Sequence, residues 1–290
     1  MDKELQKKYL QKGEKIGTAY KLLFPDNLVS GRGGDKMSNQ TGSSLEFKDF
    51  RHYQPGDDLR NIDWNAYARS DNLIVKTFHK EVNPHIDIIL DCSKSMAIKD
   101  EKSGTAIILA AILSTAAANS KSSHKLWLAA DTFKETGNSS GRPSNWEGIN
   151  FNHNCPPTEA YKKMAPNFVH NSIRVLISDL LWLEDPETVL SYFNHQAASI
   201  IVLEVLTNSE ESPEFRGNVK FEDSESGEII ELYLDETAAA DYIAKLSAHR
   251  DNWYRASQRI GATMISLSSE ELLESKNLDK LLKNQILGVL

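Results

Sequence analysis

The spacing of hydrophobic residues changes along the chain, and each spacing predicts a different element. Residues 3–24 carry apolar side chains at roughly helical intervals until Pro25 ends the pattern, which predicts one amphipathic N-terminal helix. The run from Ile86 to Leu90 alternates too little for a strand with one exposed face. It therefore predicts a central strand that is buried on both faces of a parallel sheet.

Helix and strand patterns alternate after this run. The segment from Thr105 to Ala118 is apolar nearly all round, which predicts a buried helix that is too short to span a bilayer. Further strands are predicted at 125–131, 174–178, 199–206 and 263–267, and further helices after Thr158, at 186–197, at 236–260 and from Ser268 onward. Such alternation is typical of an α/β fold with a doubly wound, mostly parallel sheet and right-handed crossovers.

Two segments depart from this alternation. Two short runs around a Gly-containing turn predict a β-hairpin insertion at 217–235. Residues 28–44 are rich in Gly, Ser, Asn and Asp and predict a loop, and a strand is predicted from Leu73 to Lys80. We therefore expect two parts: an N-terminal helical and irregular extension over 1–84 that packs on the core, and an α/β domain over 85–290 that carries the hairpin.

The segment between the loop and the first central strand is dense in Asp, Arg and aromatic residues. Its charged side chains include Asp57, Asp58, Arg60, Asp63 and Arg69. They could act as catalytic carboxylates with a phosphate-binding arginine, but such mixtures more often form internal charge-assisted hydrogen bonds that fix an irregular segment. We expect Arg60, Asp63 and Arg69 to bridge this segment to the sheet domain.

Composition and charge narrow the class of partner. The chain has 290 residues, 40% of them hydrophobic and 26% charged, which is ordinary for a soluble globular protein with a sizeable core. A formal net charge of −8 argues against a general affinity for nucleic acid or for an anionic membrane surface, so protein partners are favoured. The oligomeric state does not follow from these data.

Cysteine usage and the N-terminal residues predict the compartment. Cys92 and Cys155 lie far apart without a CxxC partner, which predicts reduced thiols rather than a disulfide framework. The first 24 residues are too interrupted by charge for a signal-peptide core, and no run of about eighteen apolar residues occurs. We expect a cytoplasmic protein without a membrane span.

The candidate chemistry follows the predicted central strand. Asp91 is placed at the carboxyl end of this strand, with Ser93 and Ser95 at alternate positions after it. Ligands of open α/β sheets bind in the crevice outside the carboxyl ends of the strands. Loops at the same edge offer Thr158, before a predicted helix, and Asp179, directly after the strand VLIS. A hard cation such as Mg²⁺ takes about six oxygens, so these five side chains predict an oxygen-only cation site.

Three alternatives to this cation site remain open. An aspartate at a strand end followed by serines can simply cap the next helix and satisfy loop amides, which leaves a metal-free scaffold. An aspartate with Mg²⁺ at a strand end also serves metal-dependent hydrolases and phosphatases. The haloacid-dehalogenase pattern needs a second aspartate two residues later, however, and Ser93 stands there. The general acid of that enzyme class is therefore absent.

Other motifs carry weaker signals. The GRGG stretch at 31–34 does not follow a clear strand, as a dinucleotide fingerprint should. His153 and Cys155 form only half of a zinc set, and no histidine falls in HExxH. Cys92 has no identifiable base and is interpreted as a small buried residue rather than a nucleophile.

The motifs quoted so far resemble those of a known family. DCSKS, a later loop threonine and ISD at a following strand end resemble the metal-ion-dependent adhesion site of von Willebrand factor A domains. More specifically, EFKDFRHYQPGDDLRNIDWNAYARSDNLIVKTFHKE leading into LDCSKSM resembles the bacterial family called the domain of unknown function fifty-eight. This resemblance is strong over 45–96 and continues collinearly through ISDL at 177–180 and the EDSESGE hairpin.

This resemblance implies a fold, a site and a partner. The fold is von Willebrand A-like and thus Rossmann-like. The site is a metal-ion-dependent adhesion site in which Mg²⁺, or another divalent cation, captures a carboxylate from another protein without catalysis. Its ligands would be Asp91, Ser93, Ser95, Thr158 and Asp179. The partner would be a MoxR-type AAA-plus ATPase or its client, in the assembly or remodelling of other proteins.

Overall fold

A computed structural model describes most of the chain. The described residues are 1–24, 45–80, 84–154, 156–213, 217–222, 227–275 and 278–290. The loop predicted at 28–44 and its GRGG stretch therefore lie outside the described residues, as does Cys155. The chain divides into two compact units, one formed by Met1–Leu23 with Pro84–Leu290 and the other by Phe24–Asn83.

The described residues alternate between helices and strands. In chain order the elements are α1 (Lys3–Gly17), β1 (Tyr20–Leu22), β2 (Leu45–His52), α2 (Trp64–Ser70), β3 (Ile74–Lys80), β4 (Ile86–Asp91), α3 (Asp100–Asn119), β5 (His124–Ala129), β6 (Phe133–Glu135), α4 (Pro157–Lys163), β7 (Ser172–Ser178), α5 (Pro186–Asn194), β8 (Ala197–Leu206), α6 (Asn208–Glu211), β9 (Gly217–Glu222), β10 (Ile229–Leu234), α7 (Glu236–Arg259), β11 (Thr263–Ser268), α8 (Ser269–Ser275), α9 (Asp279–Lys283) and β12 (Leu287–Val289).

The centre of the larger unit is a six-stranded sheet. Its strand order is β11-β8-β7-β4-β5-β6, and every pair is parallel except the one between β5 and β6. This confirms the predicted α/β fold, and all six residues of β4 are buried, as its apolar run predicts. The chain passes from β4 to β5 on one side and later returns to β7 on the other. The carboxyl ends of β4 and β7 therefore flank a topological switch point.

Helix α3 packs against this sheet and against α1. Fifteen of its 20 residues are buried, as its largely apolar sequence predicts. Gly13 and Gly17 of α1 lie so close to α3 that an added Cβ would come within 2.7 Å of Ala111 and Thr115, respectively. The first helix thus belongs to the sheet unit, whereas the sequence grouped it with the extension. No helix in the described ranges is long and apolar enough to cross a membrane.

The N-terminal helix is shorter than predicted. It ends at Gly17, and residues 20–22 form β1, which pairs antiparallel with β12 near the other end of the chain. The prediction was wrong for residues 20–22 because their strand partner lies near the other end of the chain and leaves no local signal in the sequence. The insertion at 217–235 is the antiparallel hairpin of β9 and β10, as predicted.

The smaller unit pairs its charges locally. Strands β2 and β3 are antiparallel, and Asp63 caps α2 by accepting from the main-chain N–H groups of Asn65 and Ala66. Arg60 binds Asp58, and the Nε–H of Arg69 donates to the carbonyl of Asn65. Internal charge-assisted bonds are therefore present, but these contacts lie within the segment. The bridge that we expected from Arg60, Asp63 and Arg69 to the sheet domain stays a prediction.

Candidate metal site at the carboxyl edge of the sheet

Two buried carboxylates lie at the switch point. Asp91 is the last residue of β4, and Asp179 follows the last residue of β7. These two strands are parallel neighbours, and Leu90 pairs with Ile177. Both side chains are buried, with exposed fractions of 3% and 0%. The fold therefore brings together two residues that are far apart in sequence, at the edge where the alternation of strands and helices placed them.

Asp91 is held by its own loop and by the neighbouring strand. One carboxylate oxygen accepts from the main-chain N–H of Ser93 at 2.9 Å, and the other accepts from the Ser178 hydroxyl at 2.6 Å. Burial, with a further contribution from the negative charge of Asp179, raises the pKa of Asp91 to about 7 in spite of these hydrogen bonds. Burial of the carboxyl is thus the chief cause of its raised pKa.

The two serines converge on the same loop. The Ser93 and Ser95 hydroxyls share a hydrogen bond, with their oxygens 2.8 Å apart, and both side chains are buried. Adjacent ligands of an octahedral Mg²⁺ at about 2.0–2.1 Å lie about 2.9 Å apart, so this pair matches the spacing of two neighbouring ligands. The loop itself is fixed by His153, whose main chain bonds the Lys94 N–H and the Cys92 carbonyl.

A buried lysine, which the sequence analysis missed, completes the charges of the site. Lys102 lies on the first turn of α3, and its ammonium donates to Asp179 at 2.8 Å, to Glu210 at 2.6 Å and to the Ser95 carbonyl at 3.2 Å. Burial lowers its pKa, but the charges of Asp179 and Glu210 outweigh this effect and the pKa is raised. A signal existed in the sequence, because Lys102 is the last charged residue of an otherwise apolar helix.

Thr158 forms its described hydrogen bonds with Glu184 and not with the other predicted ligands. It is buried on the first turn of α4, and its hydroxyl donates to the carboxylate of Glu184, which also accepts from the Thr158 main-chain N–H at 3.4 Å. Among the hydrogen bonds of the described residues, none joins Thr158 to the other four predicted ligands. Four predicted ligands are thus brought together, whereas the role of Thr158 stays a prediction.

The donor set is one of hard oxygens. Its members are the carboxylates of Asp91 and Asp179 and the hydroxyls of Ser93 and Ser95, which suit Mg²⁺ better than softer metals. Within the described part of the chain, no group of three or more His, Cys, Asp or Glu side chains could hold a metal ion. Any ion here would therefore rely on hydroxyl, main-chain or water oxygens in addition to the two carboxylates. Cys92 is a free and buried thiol, and burial raises its pKa well above the ordinary value.

Comparisons with known proteins place the chain in a family. The family described as Protein of unknown function DUF58 matches residues 49–252. The uncharacterized proteins Rv1480 of Mycobacterium tuberculosis and Mb1516 of Mycobacterium bovis are each 25% identical over 260 residues, which cover 82% of this chain and 78% of theirs.

Two solved structures were also found. The conserved hypothetical protein BatB from Bacteroides thetaiotaomicron is 11% identical with a TM-score of 0.33, over 69% of this chain and 98% of that one. An aerotolerance-related membrane protein from Bacteroides fragilis, with multiple mutations to serines, is 14% identical with a TM-score of 0.35, over 69% and 99% of the two chains. With the family match spanning most of its length, the chain belongs to the DUF58 family.

Proposed function

We propose that this protein is a non-enzymatic interaction module that captures a partner protein through a bound divalent cation. The cation is Mg²⁺ or a similar hard ion, held by Asp91, Ser93, Ser95 and Asp179, with Thr158 as the fifth predicted ligand. A carboxylate from the partner completes the coordination sphere. Because few ligands from the protein carry negative charge, the ion keeps a preference for an incoming anionic oxygen.

The observation that carries this proposal is the convergence of four oxygen side chains at one switch point. Asp91 and Asp179 come from neighbouring strands, and the hydroxyl oxygens of Ser93 and Ser95 are already at the spacing of adjacent ligands. Hydrogen bonds to the main chain fix each carboxylate, since Asp91 accepts from the Ser93 N–H and Asp179 accepts from the Leu181 N–H at 3.1 Å. These hydrogen bonds therefore orient the carboxylate oxygens for a metal ion before any ion binds.

The local charge also supports a cation. Asp91, Asp179 and Glu210 are three carboxylates, and the ammonium of Lys102 binds two of them. When all of these groups are ionised, the cluster carries a net charge of about −2, which is costly in a buried place. A divalent ion would neutralise it.

The surroundings of the site favour a protein as the ligand. Large apolar side chains are exposed in the two loops that carry the predicted ligands: Ile98 is 57% exposed, Leu181 is 37% exposed and Leu183 is fully exposed. Exposed apolar residues around a polar centre are typical of a protein-binding surface. On the family resemblance alone, we propose that the partner is a MoxR-type AAA-plus ATPase or its client and that the two meet in the cytoplasm.

A second candidate function is a metal-free scaffold, and Lys102 is the observation that favours it. Its ammonium already binds Asp179 directly, so the positive charge of Lys102 can neutralise this predicted metal ligand without a metal ion. In that case Asp91 and its serines would serve only to fix the loop. We do not propose an enzyme, because the position of a haloacid-dehalogenase general acid is held by Ser93.

A binding assay with a purified MoxR-type AAA-plus ATPase tests the proposal. We expect the immobilised protein to retain the ATPase in Mg²⁺, to release it on addition of a chelator, and to keep most of it as salt rises. Screening weakens exposed ion pairs, whereas coordination bonds are largely insensitive to it. Asp91→Ala should lose retention, and Asp241→Ala, which removes an exposed carboxylate, should not. Retention that falls with salt and ignores the chelator would contradict metal-mediated capture.

A further inference from the structure

A large groove adjoins the loop of the candidate metal site. It runs between helix α1 and the segment 138–152, and its volume is about 1050 Å³. Pockets for small molecules are usually about 300–1000 Å³ and largely enclosed, so an open groove of this size suits a length of polypeptide better. Both walls belong to the larger of the two units.

The groove is continuous with the loop of Ser93 and Ser95. Ala97, two residues after Ser95, lines one end of it. Asn152 lines the groove as well, and the main chain of the next residue, His153, bonds the loop on both sides of Ser93. The groove and the loop of the candidate metal site are therefore neighbours in the structure.

The walls of the groove suit an extended acidic segment. Lys3 and Lys7, one helical turn apart on α1, supply exposed positive charges, and Glu147 is the acidic residue of the lining. Asn145, Asn150 and Asn152 supply carboxamides, which both donate to and accept from a peptide main chain. In a protein of net charge −8, an acidic partner is repelled overall, so local lysines beside the site would favour its approach.

We propose that this groove binds the part of the partner next to its metal-bound carboxylate, and that this part is an extended segment with further acidic residues. The carboxylate that binds the ion fixes the register, and Lys3 and Lys7 select the acidic side chains beside it. The inference rests on the proposed function for its anchor, but the groove makes its own contribution to affinity. It names a partner class for this site, namely an acidic peptide segment.

Two fluorescent peptides measure the contribution of the groove. One is a short Gly/Ser peptide with a single Asp, and the other carries two Glu residues beside that Asp. Each is titrated with the full chain in Mg²⁺ and in chelator. The test variant is Lys3→Gln/Lys7→Gln. The matched control is Lys8→Gln/Lys15→Gln, which removes two exposed lysines of the same helix that do not line the groove.

We expect the peptide with two Glu residues to bind more tightly than the single-Asp peptide. The Lys3→Gln/Lys7→Gln variant should lose about five- to tenfold in affinity for the former and little for the latter, because it removes two exposed ion pairs and each of them is weak in water. The control variant should change neither affinity by more than about twofold. Chelator should lower the affinity of the chain for both peptides.

The outcomes separate the groove from the metal site. If the two double variants lose affinity for the peptides equally, or if neither loses any, the proposed role of the groove is wrong. Binding that still depends on the absence of chelator would in that case leave the proposed function standing. Binding that depends on Lys3 and Lys7 but ignores chelator would support the groove and overturn metal-mediated capture. If neither peptide binds the unmodified chain in Mg²⁺, both the groove proposal and the proposed function are overturned.

Discussion

Replacing Lys102 with methionine is expected to lower the free energy of unfolding by about 3–5 kcal/mol when divalent ions are absent. The Lys102 ammonium is fully buried and binds the carboxylates of Asp179 and Glu210 at 2.8 and 2.6 Å. Methionine keeps most of the side-chain volume, so the loss comes from two carboxylates that no longer have their cation rather than from a cavity. Urea denaturation in the presence of chelator measures this loss in the free energy of unfolding.

Adding Mg²⁺ to the same variant distinguishes the two functions considered for the site. If the ion binds the folded state at Asp91 and Asp179, it takes over the neutralising role of Lys102, and excess Mg²⁺ should restore about 2 kcal/mol or more. A metal-free scaffold predicts no recovery. Lys245→Met is the matched control, because Lys245 forms an exposed ion pair with Asp241 and its loss should cost less than about 1 kcal/mol.

Replacing Asp87 with alanine is expected to cost about 3–5 kcal/mol of stability, independently of metal. Asp87 is fully buried on β4 and accepts hydrogen bonds from the Trp127 indole N–H at 2.8 Å and from the Ser172 hydroxyl at 2.6 Å. It also accepts from the Val169 N–H and lies 3.4 Å from the His85 ring. Alanine would leave these donors buried without their acceptor.

The cost of this substitution should depend on pH. Burial raises the pKa of Asp87, but the neighbouring His85 ring and the hydrogen bonds from Ser172 and Trp127 outweigh burial, so the pKa in the folded protein lies below the ordinary value. A carboxyl with a lowered pKa stabilises the fold above its unfolded pKa, and this stabilisation is lost as pH falls through the folded pKa. The difference between Asp87→Ala and the unmodified protein should therefore shrink in acid.

Thermal and urea unfolding at neutral and acidic pH check this prediction. Asp87→Asn should cost less than Asp87→Ala, because its carboxamide oxygen can still accept from Trp127. Asp241→Ala, at an exposed position, should stay within about 0.5 kcal/mol of the unmodified protein. An Asp87→Ala midpoint equal to that of Asp241→Ala would show that the network of Asp87 does not hold the sheet together.

The sequence predicted the edge of the sheet where the candidate site lies, for a physical reason. The run Ile86 to Leu90 and the strand before Asp179 are too apolar for a half-exposed sheet, and the alternation of helices and strands implies parallel pairing. Parallel strands end at a common edge, so Asp91 and Asp179 were expected to meet there. The structure places both at that edge. Periodicity alone thus predicted that Asp91 and Asp179 share one edge of the sheet.

The parts that sequence reasoning missed depend on contacts between distant side chains. Lys102 stands out as a charged residue at the start of a buried helix, but the sequence does not show which side chains it meets, so its contacts with Asp179 and Glu210 could not be predicted. The pairing of Thr158 with Glu184 likewise joins the first turn of α4 to the loop after β7, and no local pattern in the sequence records that approach. The same limit explains why residues 20–22, expected to be helical, pair with β12 instead.

Calorimetric titration of Mg²⁺ into the unmodified protein and into Asp91→Ala tests the central claim most directly. We predict one binding event per chain for the unmodified protein and for Asp241→Ala, and no detectable binding for Asp91→Ala. The circular dichroism spectrum of Asp91→Ala should remain that of a folded protein, because the substitution removes a carboxylate at the sheet edge and leaves the apolar side chains of the core in place. Undiminished binding by Asp91→Ala, or no binding by the unmodified protein, would contradict the claim that Asp91 and its neighbours hold a divalent cation.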